Sequence, residues 1–148
     1  VASREELVVL MVDHVIGEVV LPDAALSGRA RIELLAHELR RVLLDHAQLL
    51  PALTAAPLLG PNALRGSEVG LISALDAGYA PEAATAAVLA LTDFVLGTVY
   101  FDTSSAGRSV AAGHAPTVPE VGVPLADEVF AFGLETFLAG LEHRFRPA

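Results

Sequence analysis

One stretch near the C-terminus has apolar residues on two helical faces, and it limits the folds that this chain can adopt. The first face has steps of three and four: Phe130, Leu134, Phe137, Leu138, Leu141 and Phe145. Such a stripe packs against the chain's own core. A second line carries glycines, and each glycine inside a helix costs roughly 1 kcal/mol relative to alanine. This favours close packing against another helix, which can come from a second copy. The predicted dimer interface is Val129, Phe132, Gly133, Thr136 and Gly140.

Composition supports one helical domain with apolar surface to spare. The chain has 148 residues, of which 53% are hydrophobic and 18% are charged. Its mean hydropathy is +0.56, so we expect oligomerisation to cover the remaining apolar area. Because the net charge is −9, we predict that this chain has no basic DNA-reading face. Because no cysteine is present, disulfides and thiolate zinc sites are excluded. We predict a cytoplasmic protein without a membrane partner.

Prolines and glycines divide the rest of the chain into segments with helical spacing. Ser3 and Glu6 form a capping box at the first helix. On the second helix, the charged residues (Arg31 and Arg40 among them) are predicted to lie outside. The predicted segments are a helix to about Val20, Gly28–Asp45, a short turn over His46–Leu53, Asn62–Ala77, and a helix from Pro81 to Phe101. A loop is predicted over Thr103–Pro124, and no segment alternates as a strand does.

The segment Ala83–Phe101 is almost entirely apolar, and Asp93 is its only charged residue. Its length would suit a membrane span, but its threonines and central carboxylate favour a fully buried central helix of a water-exposed fold. A buried carboxylate needs a partner, because charge is costly to bury. Asp93 therefore either anchors a cationic or hydroxyl-bearing ligand or bonds to a neighbouring helix.

Several short stretches, in this order, resemble one known family. They are Val1–Leu7, Leu43–His46, Gly60–Arg65 followed by Ala77–Tyr79, Asp93–Gly97, Phe130–Glu135 and Gly140–Glu142. The chain is similar to the ligand-binding and dimerisation domain of the tetracycline-repressor (TetR) family of transcription regulators, with the closest likeness to the tetracycline-repressor branch itself. Together the stretches cover nearly the whole chain.

The resemblance implies an all-α homodimer in which Pro81–Thr103 and Leu125–Arg144 of both copies form a four-helix bundle. Residues 1–148 would be the effector-binding and dimerisation domain, with residues 1–4 the remnant of a helix-turn-helix domain that lies before Val1. Operator DNA would be bound through that missing domain. A small-molecule effector would shift the helix Arg4–Val19 and so change the separation of the two DNA-reading heads.

The resemblance also implies where an effector binds. Ungapped matching to the family places Leu35, Leu39, Thr54 and Gly70 on the pocket side. Because these residues replace polar ligands of the tetracycline-binding members, they argue against a magnesium–tetracycline complex and for a mostly apolar effector. The full predicted ligand set is His14, Leu35, Leu39, Asn62, Thr85, Val88, Thr92, Asp93 and Leu96.

Each polar member of that set has a structural alternative. Thr85 and Thr92 either orient a ligand or bond back to their own helix. His14 either couples a ligand to the DNA heads or bonds to a neighbouring helix. Asn62, together with Arg65, either lines a pocket entrance or ties down the preceding loop.

Neither catalysis nor a metal or other cofactor is predicted. The chain has no nucleophile elbow, phosphate-binding glycine loop or H-E-x-x-H motif. Glu33 and His37 have a spacing at which two side chains can bind one metal ion, but without a third ligand they are interpreted as a surface pair. The competing hypotheses are a helical dimerisation module without ligand and a small helical lipid or ligand carrier. An enclosed apolar pocket, typically about 300–1,000 Å³, would favour a sensor over a module that only dimerises.

Overall fold

The computed structural model describes residues 3–55, 60–104 and 125–145, with side chains at 54 and 55 excepted. These residues form six α-helices and one short 3-10 turn, Ala47–Leu49, and they contain no strand. The helices are α1 Arg4–Ile16, α2 Gly28–Asp45, α3 Leu50–Ala55, α4 Pro61–Asp76, α5 Pro81–Thr103 and α6 Ala126–Phe145. The predicted all-α class is confirmed. The predicted pocket residue Thr54 and most of the predicted loop lie outside the described residues.

Both ends of α1 make specific contacts. At its start, the Ser3 hydroxyl accepts a hydrogen bond from the Glu6 amide at 3.1 Å, as the capping box predicts. The helix ends at Ile16, so its predicted extension to Val20 is wrong. A side chain at Gly17 would bring its Cβ to 2.9 Å from the Asn62 amide nitrogen. The close approach of α4 therefore leaves no room for a side chain at the residue that follows α1, and the local sequence does not show this contact.

Helix α2 lies at the centre of the domain and packs against α1, α4 and α5. Its Val42 and Leu43 are completely buried. At the far end of α4, Gly78 has φ of 93°, a backbone conformation that glycine adopts readily, and the chain turns there into α5. One apolar core thus connects α1, α2, α4, α5 and α6.

Two arginines of α2 that were predicted to lie outside are buried instead. Arg31 and Arg40 are each 5% exposed. Arg31 pairs with Asp76 at the end of α4. Arg40 pairs with Asp102 at 2.7 Å and with Asp127 at 3.0 Å, and so joins α2 to α5 and α6. Long side chains can keep their charge while their stems fill apolar space, which helical spacing alone does not reveal.

Helix α5 is not fully buried, contrary to the prediction. One stripe packs inside the single chain: Ala84, Ala87, Leu91, Val95 and Val99. The opposite side is exposed and includes Leu89, Tyr100 and Phe101. By length and composition α5 is the one described helix that could cross a membrane. In the fold it has one side in the core and one apolar side open.

Helix α6 is fixed against α5 and α2. The Phe94 ring stacks between Phe130 and Phe137, with ring centroids 5.7 and 5.8 Å apart. Arg29 of α2 pairs with Glu142 at 2.7 Å and with Glu135 at 2.9 Å. Apolar and charged contacts therefore hold α6 along most of its length.

Candidate ligand-binding cavity and dimer face

A cavity of about 130 Å³ lies between α1, α2, α4 and α5. Its lining is mostly aliphatic and includes the end of α1 and the turn that follows it. The lining residues are Ile16, Gly17, Val19, Leu21, Ile32, Leu35, Ala36, Leu39, Asn62, Ala63, Arg65, Gly66, Ser67, Gly70, Val88, Leu91, Thr92 and Val95. A cavity of this size holds a group comparable to one aromatic ring.

The polar members of the lining are few. Thr92 donates its hydroxyl proton to the Val88 carbonyl at 2.9 Å, which is the structural alternative considered for it. Asn62, Arg65 and Ser67 belong to the first two turns of α4. An apolar chamber with a few polar groups on one side is the usual chemistry of a small-molecule site.

One buried carboxylate joins α1 to the start of α4. Asp13 is 7% exposed. One carboxylate oxygen, Oδ1, accepts hydrogen bonds from the backbone amides of Asn62 and Ala63, each at 3.0 Å. The side-chain amide of Asn62 donates to the other oxygen, Oδ2, at 3.1 Å and to the Asp13 carbonyl at 3.1 Å. We call Asp13, Asn62 and Ala63 the Asp13 cluster.

The Asp13 cluster acts as the helix cap that α4 lacks. The residue before α4 is Gly60, which has no side chain to accept from the first amides. A Cβ at Gly60 would lie 2.1 Å from the Asp13 carboxyl carbon, so glycine is needed there for the two helices to meet. Asp13 was not among the residues predicted from the sequence. The available signal was an acidic residue within the apolar run from Val12 to Ile16.

The cavity brings together five of the nine predicted ligand residues: Leu35, Leu39, Asn62, Val88 and Thr92. His14, Thr85 and Asp93 are exposed in the single chain, and Leu96 is half-buried outside this lining. Thr85 donates back to the Pro81 carbonyl at 3.2 Å. The premise that Asp93 is buried in the chain is wrong, because it lies on the exposed side of α5.

The exposed sides of α5 and α6 carry large apolar residues, which together with Asp93 we call the α5/α6 face: Leu89, Tyr100, Phe101, Val129 and Phe132. An open groove of about 410 Å³ runs between the two helices beside Phe101 and Val129. Phe132 is 75% exposed. Such an apolar patch is typical of an interaction surface.

The predicted interface residues occupy this face, but they differ in what they already contact. Val129, Phe132, Thr136 and Gly140 are exposed. Gly133 is half-buried, because a Cβ there would lie 2.9 Å from the ring of Phe94 in the same chain. Gly140 has no neighbouring atom within 4 Å of that position. Of the two glycines on this line, Gly133 is thus packed against α5, whereas Gly140 is open.

The part of the chain that the structure describes contains no group of three or more histidine or acidic side chains placed to hold a metal ion. Glu33 and His37, the only spacing considered for a metal, therefore lack a third ligand in these residues. The chemistry of the cavity rests on apolar contact and on the polar groups of α4.

Residues 21–117 match the model of the family described as tetracyclin repressor-like, C-terminal domain. This chain belongs to the TetR family. A curated relative is an HTH-type transcriptional regulator of Saccharopolyspora erythraea, 38% identical over 100 residues. That alignment covers 67% of this chain but 42% of the relative, so this chain matches less than half of the relative's length.

Solved structures of TetR-family proteins share the fold. The TetR family protein ActR of Streptomyces coelicolor in complex with actinorhodin has a TM-score of 0.81 at 23% identity, covering 99% of this chain and 79% of that one. ActR in complex with (S)-DNPA has a TM-score of 0.77 at 26% identity, covering 95% and 76%. BioQ of Mycobacterium smegmatis has a TM-score of 0.75 at 23% identity, covering 95% and 74%.

Proposed function

We propose that this chain is the effector-sensing and dimerisation domain of a TetR-type transcriptional regulator. A small, mostly apolar molecule would bind the cavity and alter operator binding by a helix-turn-helix domain that precedes α1 in the full-length protein. The family, the HTH-type relative and the small-molecule complexes of ActR support this proposal. A regulator of this kind would act on DNA in the cytoplasm.

The observation that carries the proposal is the position of α1. Its last turn forms part of the cavity wall, and Asn62, another lining residue, is hydrogen-bonded to Asp13 of α1. A ligand at Asn62 or Gly17 would therefore press on the contact that holds α1 against α4. The cavity thus has a direct physical connection to the helix that leads toward the DNA-reading heads.

The size of the cavity also bears on mechanism. At about 130 Å³ it is smaller than the roughly 300–1,000 Å³ of typical small-molecule pockets. An effector of ordinary size would therefore either move the walls apart or extend out of the open side of the cavity. Because an effector that moves the walls apart would bind only the expanded arrangement, its binding free energy would shift the population of molecules toward that arrangement. A module that only dimerises would have no need for this chamber in its core.

Gly66 offers a test of the cavity. It lines the chamber, and a Cβ there would meet no atom within 4 Å. We expect Gly66→Phe to fill the space, and Gly66→Ala to leave it open. Equilibrium dialysis with naphthalenemethanol, a neutral apolar probe, should show binding to the wild type and to Gly66→Ala and at least tenfold weaker binding to Gly66→Phe. Equal binding to all three proteins would contradict an effector site in this cavity.

We propose further that the α5/α6 face pairs with its copy to form a four-helix homodimer. Phe132 projects from this face and can fill the groove of the partner beside Phe101 and Val129. Central aromatic residues usually contribute most to such interfaces. Phe132→Asp should therefore change a dimer to a monomer at micromolar concentration in native mass spectrometry.

A matched control keeps this test specific. Leu64 is an exposed leucine on α4, at 55% exposure, and lies outside the α5/α6 face. Leu64→Asp should remain dimeric. A Phe132→Asp variant with the same dimer fraction as Leu64→Asp would assign the interface to another surface.

A further inference from the structure

Among the described residues, the cavity lining contains a single charged side chain, and it is a cation. Arg65 lies on the second turn of α4, is exposed, and borders the apolar chamber. The other lining residues are neutral. Because its walls are apolar and its edge carries one arginine, the cavity favours ligands that have an apolar body and one polar end.

Arg65 has no described partner, although the chain has an excess of acidic residues, 18 against nine basic ones. Glu68 stands three residues further along α4, a spacing at which salt bridges form. Within residues 3–55, 60–104 and 125–145, no ion pair or hydrogen bond of Arg65 is found. Arg29, Arg31, Arg40 and Arg41 each pair with at least one carboxylate, whereas Arg4 and Arg144, which do not line the cavity, form no ion pair with the described residues, like Arg65.

The acidic group that bonds to the lining residue Asn62 does not serve Arg65. The Asp13 carboxylate is buried and already accepts from the two first amides of α4 and from the Asn62 side chain. Ser67, also in the lining, makes no described hydrogen bond. One guanidinium and one hydroxyl therefore remain available on the α4 side of the chamber.

An arginine at the exposed edge of a cavity suits an organic acid. The guanidinium matches the geometry of a carboxylate and can bind it with two parallel hydrogen bonds. At the mouth the acid keeps part of its hydration, so it avoids the large cost of burying a charge. The apolar part of the same molecule can then lie against the aliphatic walls.

We propose that the effector is an amphipathic organic anion, whose apolar body occupies the cavity and whose carboxylate binds Arg65. This inference rests on the proposed sensing function and narrows it to one chemical class. The neutral part of the ligand supplies apolar burial, and the anionic part gives selectivity over neutral molecules of the same shape.

Matched probes test the chemical class. We would measure two pairs by equilibrium dialysis: naphthoate with naphthalenemethanol, and decanoate with decanol. The proteins would be the wild type, Arg65→Gln and Gly66→Phe, with Arg4→Gln as a control at an exposed arginine of α1. We expect one or both anions to bind the wild type more tightly than the neutral counterpart. Arg65→Gln should weaken anion binding roughly tenfold and leave neutral binding within about twofold.

Further outcomes separate this proposal from the proposed function. Added salt should weaken anion binding to the wild type and have little effect on Arg65→Gln. Cavity-dependent binding in which anions and neutral probes are equal, or in which Arg65→Gln changes nothing, overturns the anionic class and leaves the sensing function in place. Binding that Gly66→Phe does not weaken, or no saturable binding by any probe, overturns both. A loss in Arg4→Gln equal to that in Arg65→Gln also overturns the role of Arg65.

Discussion

The first and last helices of the described fold are held in different ways. Helix α6 buries Phe130, Leu134 and Leu138 to 2% exposure or less, and its aromatic rings stack on α5. Helix α1 buries apolar residues only in its second half, together with the polar Asp13. Leu7, Leu10 and Met11 of α1 remain 46–50% exposed.

This difference indicates which helix can move. The contacts that hold α6 are apolar, aromatic and ionic, and they reach both α5 and α2. The C-terminal half of α1 also packs Val12, Val15 and Ile16 into the core, but its junction with α4 is a polar cluster beside a cavity, and most of its N-terminal half is exposed. Elements that change position are expected to have low local stability. The fold therefore combines α6, the helix of the proposed dimer interface, with a helix whose junction beside the cavity suits it to transmit a change.

The largest effect should come from α6. Leu138 is fully buried, and Leu138→Ala removes its packing and leaves a cavity. We expect a loss of about 3 kcal/mol in the free energy of unfolding, measured by urea denaturation at fixed protein concentration. Leu64→Ala, on exposed surface, should change it by less than about 0.5 kcal/mol. Equal effects of the two variants would contradict the assignment of α6 as the fixed element.

A smaller loss is expected at α1. Asp13→Ala leaves the first amides of α4 and the Asn62 side chain without their shared acceptor. The loss should be about 2 kcal/mol by the same measurement, since helix caps and buried hydrogen-bond partners have costs of this order. Asp45→Ala removes only an exposed ion pair with Arg41 and should cost about 0.5 kcal/mol or less. If Asp13→Ala is as mild as Asp45→Ala, the Asp13 cluster does not hold α1.

The smallest effect should be at the C-terminal end of α6. Tyr79 is 5% exposed and its ring contacts Phe145, but its buried hydroxyl has no partner among the described residues. Burial also raises the pKa of Tyr79 above its ordinary value. Tyr79→Phe keeps the ring contact and should change the unfolding free energy by less than about 0.5 kcal/mol. A loss above 1 kcal/mol would indicate that polar bonding also holds this end of α6.

The sequence was sufficient to predict the features that depend on local chemistry. The bounds of α2 and α5 follow from caps, prolines and helical spacing, and they agree with the structure. The apolar stripe of Phe130 and Leu134 also faces the core as predicted. In each case the signal lies within the segment itself.

Features that depend on distant contacts were not predicted. Gly17, the residue after α1, is packed against Asn62, which lies 45 positions later in the sequence. The side of α5 that carries Asp93 cannot be assigned when nearly all its neighbours are apolar. Arg40 is buried because Asp102 and Asp127 reach it from other helices. Half of the proposed site, including the role of Asp13, could therefore not be predicted without the fold.

Spin labels would test directly whether an occupant of the cavity moves α1. The chain has no cysteine, so Glu5→Cys places one label per copy on α1 and His143→Cys places one on α6, both at exposed positions. Distances between the two copies would be measured with and without saturating naphthalenemethanol. We predict that the Glu5→Cys distance changes by at least about 2 Å, while the His143→Cys distance stays within about 1 Å. An unchanged Glu5→Cys distance at saturation, or equal changes at both positions, would contradict the account.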